Sequence, residues 1–438
     1  MVLISLGLRP CGSPGVESKG QMFATLKKPA PAAYPWILVG LLWMVSFLNS
    51  ADRAILNSVK PLLRDAFSIT DLQLGIVDTV FFWTYAVCAF LFGRAGDSVR
   101  RRNMVIFGLV FWSTATGLMP IATGFAMLLG MRTLVAVGES TYYPTATALI
   151  SSWHRPAMRS RALAIHQTAV FAGGGIGGWV AGKLADSHGW SMPFLVFAAL
   201  GFVVMAILFF TLRDDAPAVQ ARPVAERTEP LRLILANPAA LVLCGVFFLS
   251  TAASSAVLNW CNTYAHDVLK LNLADSALVG PVMITTAGFV SVLVGGWLAD
   301  RFAARSAIGR FTVLALGLAL AALFLLPFPL AHSVPLVGAL LFATSFGKGL
   351  FDGCIYAAMH DVMPDEARAT AAGLMTMLGF IGAGISTVAL PAIAVHTGLA
   401  AGFAMMAGLY LIAVAVLLLA RSIFAAAVAR MAEGHTHG

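Results

Sequence analysis

The chain has 438 residues, of which 59% are hydrophobic and 11% charged, and its formal net charge at pH 7 is +8. Soluble globular domains carry about 25% charged residues and about 45–50% apolar ones. Because this small number of charges cannot solvate the surface of a soluble protein, most of the surface is expected to face lipid.

The chain begins with a polar segment, residues 1–33, which has no apolar stretch long enough to cross a bilayer. Its apolar start, Met1–Leu8, is too short for the core of a signal peptide followed by a cleavage site. We therefore expect a disordered cytoplasmic lead, with either Met1 or Met22 as the translation start.

Twelve apolar runs follow, each long enough to cross ~30 Å of hydrocarbon as a helix, which takes about 20 residues. They lack the ~10-residue alternation of β-barrel strands. Unpaired backbone is not viable in lipid, so the runs are predicted to be helices that leave no room for a separate catalytic domain. The predicted spans are 34–58, 72–93, 103–123, 125–150, 160–185, 191–212, 238–262, 277–300, 307–329, 334–360, 367–395 and 399–424.

The longest polar interruption inside the chain, Arg213 to Arg232, lies between the sixth and seventh spans. A polar, proline-containing stretch at the midpoint is typical of a linker between two halves. The predicted organisation is a lead (1–33), an N-terminal six-helix bundle (34–212), a cytoplasmic linker (213–237), a C-terminal six-helix bundle (238–424) and a cytoplasmic tail (425–438).

Basic residues alternate between loops and so predict the orientation. Under the positive-inside rule, the arginine-rich loops, the linker and both termini are cytoplasmic, in a bacterial-type inner membrane. The net positive charge is then a consequence of topology, and a nucleic-acid partner is not expected. The arginine-rich loops contain Arg94, Arg100, Arg101, Arg102, Arg155, Arg159, Arg161, Arg301, Arg305 and Arg310, whereas the alternate loops hold Lys60, Arg64, Lys183 and Lys270.

The five cysteines lack CxxC spacing and fall mostly inside apolar segments. They indicate small core residues rather than a disulfide framework or a metal site. No sequence motif for a metal, a nucleotide or another cofactor is present. We therefore expect neither a cofactor nor an enzyme.

A short polar pattern occurs twice, about 200 residues apart. After the second span, Gly93 is followed by Asp97 and then by Arg101 and Arg102, and after the eighth span Gly296 is followed by Asp300, Arg301 and Arg305. Repeats at corresponding positions are typical of a duplicated transporter half.

The pattern G-x-x-x-D-x-x-x-R-R resembles the signature loop of the major facilitator superfamily. The resemblance implies an all-α membrane protein with 12 transmembrane helices in two pseudo-symmetric six-helix bundles. In such a fold the Asp and Arg side chains can pair across helix ends to latch the halves, while the glycine permits close helix approach.

Further motifs resemble two branches of that superfamily, the anion:cation symporters of sugar acids and other organic anions and the Spinster-like lipid transporters. The shared segments are Asn49 to Arg53, Arg132 to Ser140, Asn259 to Tyr264 and Pro364 to Gly373. The chain departs from both branches at Ser50, where an aromatic residue is usual, and from the symporters at Ser140 and Thr141, where they have small apolar residues.

Charged side chains inside predicted spans cost at least ~2.5–3.5 kcal/mol each, so they are candidates for function. Asp52 and Arg53 are adjacent and therefore point about 100° apart on their helix. Arg132 and Glu139 are seven residues apart and share one helix face, about 10 Å from each other.

These four residues suit a site that binds an anion and a proton. Arg53 and Arg132 offer bidentate donors to a carboxylate or phosphate. When substrate engages the arginines, Glu139 loses partners and takes a proton more readily, with Asp52 as the second proton site. The alternative is that the same residues form structural ion pairs.

The second half offers fewer candidates. Lys348 is predicted to contact substrate, although Asp352 lies one turn away and can neutralise it. Asn259 and Asn262 are candidate polar contacts to substrate, or amides that join helices.

Three further features are left open or given a structural interpretation. His166 can titrate near neutral pH or hydrogen-bond locally. The sequence leaves open whether Asp78 faces a cavity or an outer interface. The glycines of residues 173–178 have no preceding strand and no following Lys-Ser/Thr, so they predict close helix packing rather than a nucleotide loop.

We expect a secondary transporter that moves a small organic anion, such as a sugar acid, with protons by alternating access, as a monomer in the lipid bilayer. One alternative is a Spinster-like lysolipid transporter or a proton-driven exporter. The alternative from a different class is a channel, a sensor or a membrane enzyme, but no nucleophile–base pair is found.

Overall fold

The protein is described by a computed structural model over residues 33–95, 100–213 and 229–436. Within these ranges the regular structure is helical, and no strand is present. This agrees with the apolar composition, because a helix satisfies its own backbone hydrogen bonds inside lipid. Asp97 lies outside the described residues, as do most of the predicted lead and the first part of the linker.

Eight helices make up the described part of the N-terminal half, residues 33–95 and 100–213. The fifth span is interrupted by a five-residue π segment, Gly173–Gly177. The helices are α1 (Tyr34–Phe67), α2 (Asp71–Ala95), α3 (Arg101–Leu118), α4 (Phe125–Ser140), α5 (Tyr142–Trp153), α6 (Pro156–Ala172), α7 (Gly178–His188) and α8 (Ser191–Thr211).

Ten helices follow in residues 229–436, and a second π segment, Leu278–Val282, interrupts the eighth span. They are α9 (Glu229–Leu235), α10 (Pro238–Asp267), α11 (Leu273–Ala277), α12 (Met283–Ala303), α13 (Gly309–Leu325), α14 (Val334–Asp352), α15 (Ile355–Val362), α16 (Asp365–Thr397), α17 (Leu399–Leu419) and α18 (Arg421–Thr436).

Ten helices in the described ranges are long and apolar enough to cross a membrane, so the chain is a multi-pass membrane protein. The predicted fourth and fifth spans are not among them. The fourth is divided at Thr141 into α4 and α5, and the fifth is divided by the π segment. The helical membrane fold is thus confirmed, whereas the count of twelve continuous spans is not.

The first helix corrects one boundary. The predicted span ends at residue 58, but α1 continues to Phe67. Lys60 and Arg64, which the loop assignment placed outside the membrane helix, therefore belong to α1, and Lys60 is fully buried.

Helices pack within each half and also across the two halves. In the first half α1 lies against α6 and α4 lies against α2 and α3, and in the second half α14 lies against α12 and α13. Across the halves, α2 packs on α16 and α1 on α10. The interface between the halves is therefore built from helices that also line the charged cluster described below.

The glycine-rich segment of the fifth span is packed against α1. A methyl group at Gly173 would lie within 2.3 Å of the Phe47 carbonyl oxygen, and one at Gly177 within 2.5 Å of the Ala51 Cβ. The close-packing interpretation of these glycines is confirmed. Side chains at these positions would push the fifth span away from the charged middle of α1.

Candidate functional site

Three helices bring together the charged residues of the first half. Arg53 on α1 donates from Nε to Glu139 Oε2 on α4 at 2.8 Å, and from Nη2 to Asn49 Oδ1 at 3.0 Å. Glu139 is fully buried, whereas the Arg53 side chain is 27% exposed. The carboxylate of the pair is thus enclosed, whereas the arginine side chain is partly exposed.

Asp52 points away from this pair, as expected for the neighbouring residue on a helix. It is buried, and Oδ1 has no hydrogen-bond partner among the described residues. Trp112 and Glu139 are among its neighbours, and the Trp112 indole N–H has no hydrogen-bond partner among the described residues. Asp52 and Glu139 are therefore two buried carboxylates in one neighbourhood.

Arg132 differs from Arg53 in that it is buried without an ion-pair partner among the described residues. It is 3% exposed, and in the described part of the chain its guanidinium forms no ion pair or hydrogen bond. Its Cζ atom lies 4.1 Å from the centroid of the Phe81 ring on α2. The guanidinium is thus held by an aromatic face, a contact that leaves its N–H donors unoccupied.

The same aromatic wall carries Arg53. Its Cζ atom lies 5.4 Å from the Phe81 centroid and 4.6 Å from the Tyr85 centroid. Phe81 therefore contacts two guanidinium groups, of which one is paired with Glu139 and the other has no ion pair in the described chain. Such an arrangement can accept one additional negative charge.

In the second half, Lys348 and Asp352 form the predicted pair within one turn of α14, with Nζ and Oδ1 2.5 Å apart. Lys348 is 8% exposed and its Nζ lies 5.3 Å from the Phe351 centroid. The described contacts of Lys348 are all with residues of its own half. Its role as a substrate contact stays a prediction.

Asn259 and Asn262 on α10 both reach α1. The Asn57 amide donates to Asn259 Oδ1 at 2.8 Å, and the Asn262 amide donates to Ser58 Oγ at 3.2 Å. The structure thus places both asparagines in the contact between the halves, where their amides join helices, and their role toward substrate stays a prediction.

The structure also brings together charged residues that the sequence interpretation missed. Lys60 Nζ lies 2.6 Å from Asp78 Oδ2, which fixes the position of Asp78 that was left open above. Arg64 forms a two-pronged pair with Asp267 of the other half, at 2.6 and 3.1 Å. A sequence signal existed, because residues 53, 57, 60 and 64 are all polar and their 4-3-4 spacing lies along one helix face.

The signature-loop residues brace helix ends. Arg102 donates from Nε to the Leu212 carbonyl at 2.7 Å and from Nη2 to the Phe209 carbonyl at 2.5 Å, at the end of α8. In the second copy, Asp300 and Asp361 both pair with Arg310, at 3.1 and 2.5 Å. These described contacts join helices of the same half.

The other described residues of the two signature loops lie in or next to α2, α3 and α12. The Arg301 guanidinium lies 5.6 Å from the Trp297 ring centroid, and Arg305 is exposed. A methyl group at Gly296 would meet the Gly353 carbonyl oxygen at 3.5 Å, an ordinary contact. Gly93 is placed in α2, and Arg101 begins α3.

His166 lies in a local hydrogen-bond network outside the charged cluster. Its Nε2 lies 2.8 Å from the Tyr142 hydroxyl, which donates to the Leu42 carbonyl of α1 at 2.5 Å. Since the hydroxyl proton is used toward Leu42, Nε2 carries the hydrogen of the neutral ring. This geometry favours the structural interpretation of His166.

Comparisons with known proteins agree with this architecture. The family model described as Major Facilitator Superfamily matches residues 42–309 and 306–435. A solved structure described as a bacterial homolog to the human lysosomal transporter Spinster, inward-facing and unoccupied, superimposes with a TM-score of 0.76 at 19% identity, covering 91% of this chain and 98% of that one.

Curated relatives include the chloroplastic sodium-dependent phosphate transport protein 1 of Arabidopsis thaliana, 27% identical over 86% of this chain and 77% of the relative. The hexuronate transporter of Bacillus subtilis is 26% identical over 59% of this chain and 63% of the relative. Human protein spinster homolog 1 is 34% identical over 41% of this chain and 34% of its own length. The resemblance inferred from the signature loops is confirmed, and the chain belongs to the Major Facilitator Superfamily as a secondary transporter, not an enzyme.

Proposed function

We propose that this transporter carries a small organic anion of the sugar-acid type together with protons across a bacterial-type inner membrane. The observation that supports this most is Arg132, a buried guanidinium without an ion-pair partner in the described chain, 4.1 Å from the ring centroid that Arg53 also contacts. An unpaired buried charge is costly, and a substrate carboxylate or phosphate offsets that cost.

Arginine suits this role because its planar guanidinium presents paired N–H donors that match a carboxylate. Two such groups at the same Phe81 ring would allow one substrate anion to bridge Arg132 and Arg53. Lys348 in the second half is proposed as the third cation, which binds the substrate anion in exchange for Asp352. Asn259 and Asn262 are proposed as polar contacts to substrate near the interface between the halves.

Proton coupling follows from competition for Arg53. In the absence of substrate, Glu139 Oε2 accepts from Arg53 at 2.8 Å. When an anion takes that donor, a buried carboxylate remains without its cation, and protonation removes its charge. Among the residues that the structure describes, Glu139 Oε1 and Asp52 Oδ1 have no hydrogen-bond partner, so each offers a position for a proton.

The substrate class is supported by the names of relatives. They are described as transporters of hexuronate, ascorbate and phosphate, all of which are anions at neutral pH. A sugar acid suits the proposed site, because its single carboxylate can accept hydrogen bonds from the two arginines and its hydroxyls can pair with the asparagine amides.

A second candidate function is transport of a lysophospholipid. It is favoured by the 34% identity to human protein spinster homolog 1 over 181 residues. The phosphate of a lysophospholipid would bind the same two arginines, and its acyl chain would require an apolar opening between helices.

The test uses the full-length protein in proteoliposomes with an imposed pH gradient. Radiolabelled glucuronate, galacturonate and ascorbate should be accumulated, inorganic phosphate less so, and fluorescent lysolipid should not be moved between leaflets. Lysolipid movement without sugar-acid uptake would replace the first proposal by the second. Single-channel currents would contradict both.

A further inference from the structure

Lys60 makes contacts with both halves of the protein. It is fully buried, its Nζ lies 2.6 Å from Asp78 Oδ2 on α2, and it donates to the Asn259 carbonyl on α10 at 2.8 Å. The same Nζ lies 4.3 Å from the Trp260 ring centroid. A buried ammonium with this set of partners is fixed in place.

Its partner Asp78 lies close to the anion site. Asp78 precedes Phe81 by three residues, and residues with that spacing are neighbours on a helix surface. The Phe81 ring holds the Arg132 guanidinium at 4.1 Å, and Asp78 is one of the charged neighbours of Arg132. Asp78 is thus a carboxylate close enough to Arg132 to interact with its charge.

Two of the three carboxylates that neighbour Arg132 are held in ion pairs. Glu139 is paired with Arg53, and Asp78 is paired with Lys60. Asp52, the third, forms no ion pair in the described part of the chain, and its Oδ1 has no hydrogen-bond partner there. Without Lys60, Asp78 would be a buried carboxylate beside an unpaired guanidinium, and the two would pair because an uncompensated buried charge is strongly unfavourable.

We propose that Lys60 is a positioning residue for anion binding: by neutralising Asp78 it prevents that carboxylate from occupying Arg132. Because Lys60 also donates to Asn259 across the halves, the accessibility of Arg132 is tied to closure of this contact between α1 and α10. The inference rests on the proposed function, in which Arg132 binds the substrate anion.

The experiment measures equilibrium binding of radiolabelled glucuronate, with inorganic phosphate as the second probe, to the purified full-length protein. Lys60→Met should weaken binding at least tenfold, whereas Asp78→Asn should bind as tightly as wild type or more tightly. The double variant Lys60→Met/Asp78→Asn should return to within about threefold of wild type. Lys183→Met, which removes an exposed lysine, serves as the matched control.

A role confined to holding the halves together predicts a different result. Both single variants would then change the maximal transport rate in the same direction, with unchanged affinity and no recovery in the double variant. Wild-type affinity in a folded Lys60→Met, or weakened binding in Asp78→Asn, overturns the proposal. If Lys60→Met does not elute as a monodisperse species, Asp78→Asn and the double variant decide alone.

Arg132→Gln separates this inference from the proposed function. If that variant binds both probes like wild type, or if wild type binds neither, the proposed anion site is wrong and the positioning role falls with it. If Arg132→Gln loses binding while Lys60→Met keeps it, the anion site stands and the role of Lys60 does not.

Discussion

At the scale of single residues, the site is defined by which charges are paired. Arg53 and Arg132 have the same side chain and share the Phe81 ring, yet Arg53 is paired with Glu139 and Arg132 has no ion pair in the described chain. An ion pair that is complete has little need of a substrate, whereas an unpaired buried guanidinium is stabilised by one. The proposed specificity for anions therefore depends mainly on Arg132.

We expect Arg132→Lys to retain part of the binding and Arg132→Gln to lose it. Truncating one partner of a buried charge pair costs about 2–5 kcal/mol, so Kd for glucuronate should rise about 30-fold or more in Arg132→Gln. Lysine keeps the charge but not the paired donors, so its loss should be smaller. Equilibrium binding measures both, with the exposed Arg430→Gln as control.

Glu139→Gln should separate exchange from accumulation. Glutamine keeps the shape but cannot release a proton, so uptake driven by a pH gradient should fall at least tenfold while substrate counterflow continues. The exposed Asp65→Asn should retain both activities. Accumulation by Glu139→Gln equal to wild type would show that the glutamate is not the coupling site.

Tyr142→Phe should affect stability rather than transport. Loss of the hydroxyl leaves the buried His166 Nε2 without its partner at 2.8 Å. An unsatisfied buried donor costs about 1–3 kcal/mol, so the Tm in detergent should fall by a few degrees. Unchanged Kd for glucuronate in the folded variant is the accompanying expectation, and a large rise in Kd would assign His166 to the binding site.

At the scale of elements, glycines decide how closely the helices that carry the charges approach. The π segment at Gly173–Gly177 lies against α1 next to Asn49 to Arg53. A bulge of this kind changes the direction of a helix locally and is frequent at functional sites. It sets the distance between the fifth span and the charged face of α1.

Gly177→Val should separate these elements, since even a methyl group there would lie 2.5 Å from the Ala51 Cβ. Overpacking costs about 1–3 kcal/mol, so the variant should melt at a lower temperature and transport more slowly. Gly245→Ala is the matched control, because nothing lies within 4 Å of the added methyl group. Its Tm should stay equal or rise, as alanine is the better helix former. Equal melting of both variants would contradict the close contact.

At the scale of the whole molecule, the two halves meet through a line of polar contacts between the later part of α1 and α10. They run from Asn57 with Asn259, through Lys60, to Arg64 with Asp267. Alternating access requires that such contacts break when the side that they close opens, so their combined strength biases the populations of the two states.

Arg64→Gln should shift that population. Its pair with Asp267 is partly exposed, at 29% and 26%, so a contribution of about 1 kcal/mol and a shift of about fivefold are expected. A cysteine introduced at Asn57, which is 8% exposed, should then react faster with a membrane-impermeant maleimide than the same cysteine beside an intact Arg64. Asp267→Asn should act alike, and the double variant should add little. Slower labelling would contradict a closing role.

The sequence by itself determined the membrane-helical class, the two related halves and the family, because long apolar runs and a duplicated loop are local signals. It also determined that Asp52, Arg53, Arg132 and Glu139 belong to one region, since charges inside apolar spans are few. Only the tertiary structure decided their pairing. Partners such as Arg53 and Glu139 are 86 residues apart in the sequence, and they meet only because of how α1 and α4 are rotated and how deep each side chain lies in the bundle. Lys60 is a buried partner of Asp78 and not a loop residue for a related reason, because α1 continues to Phe67 and brings Lys60 against α2.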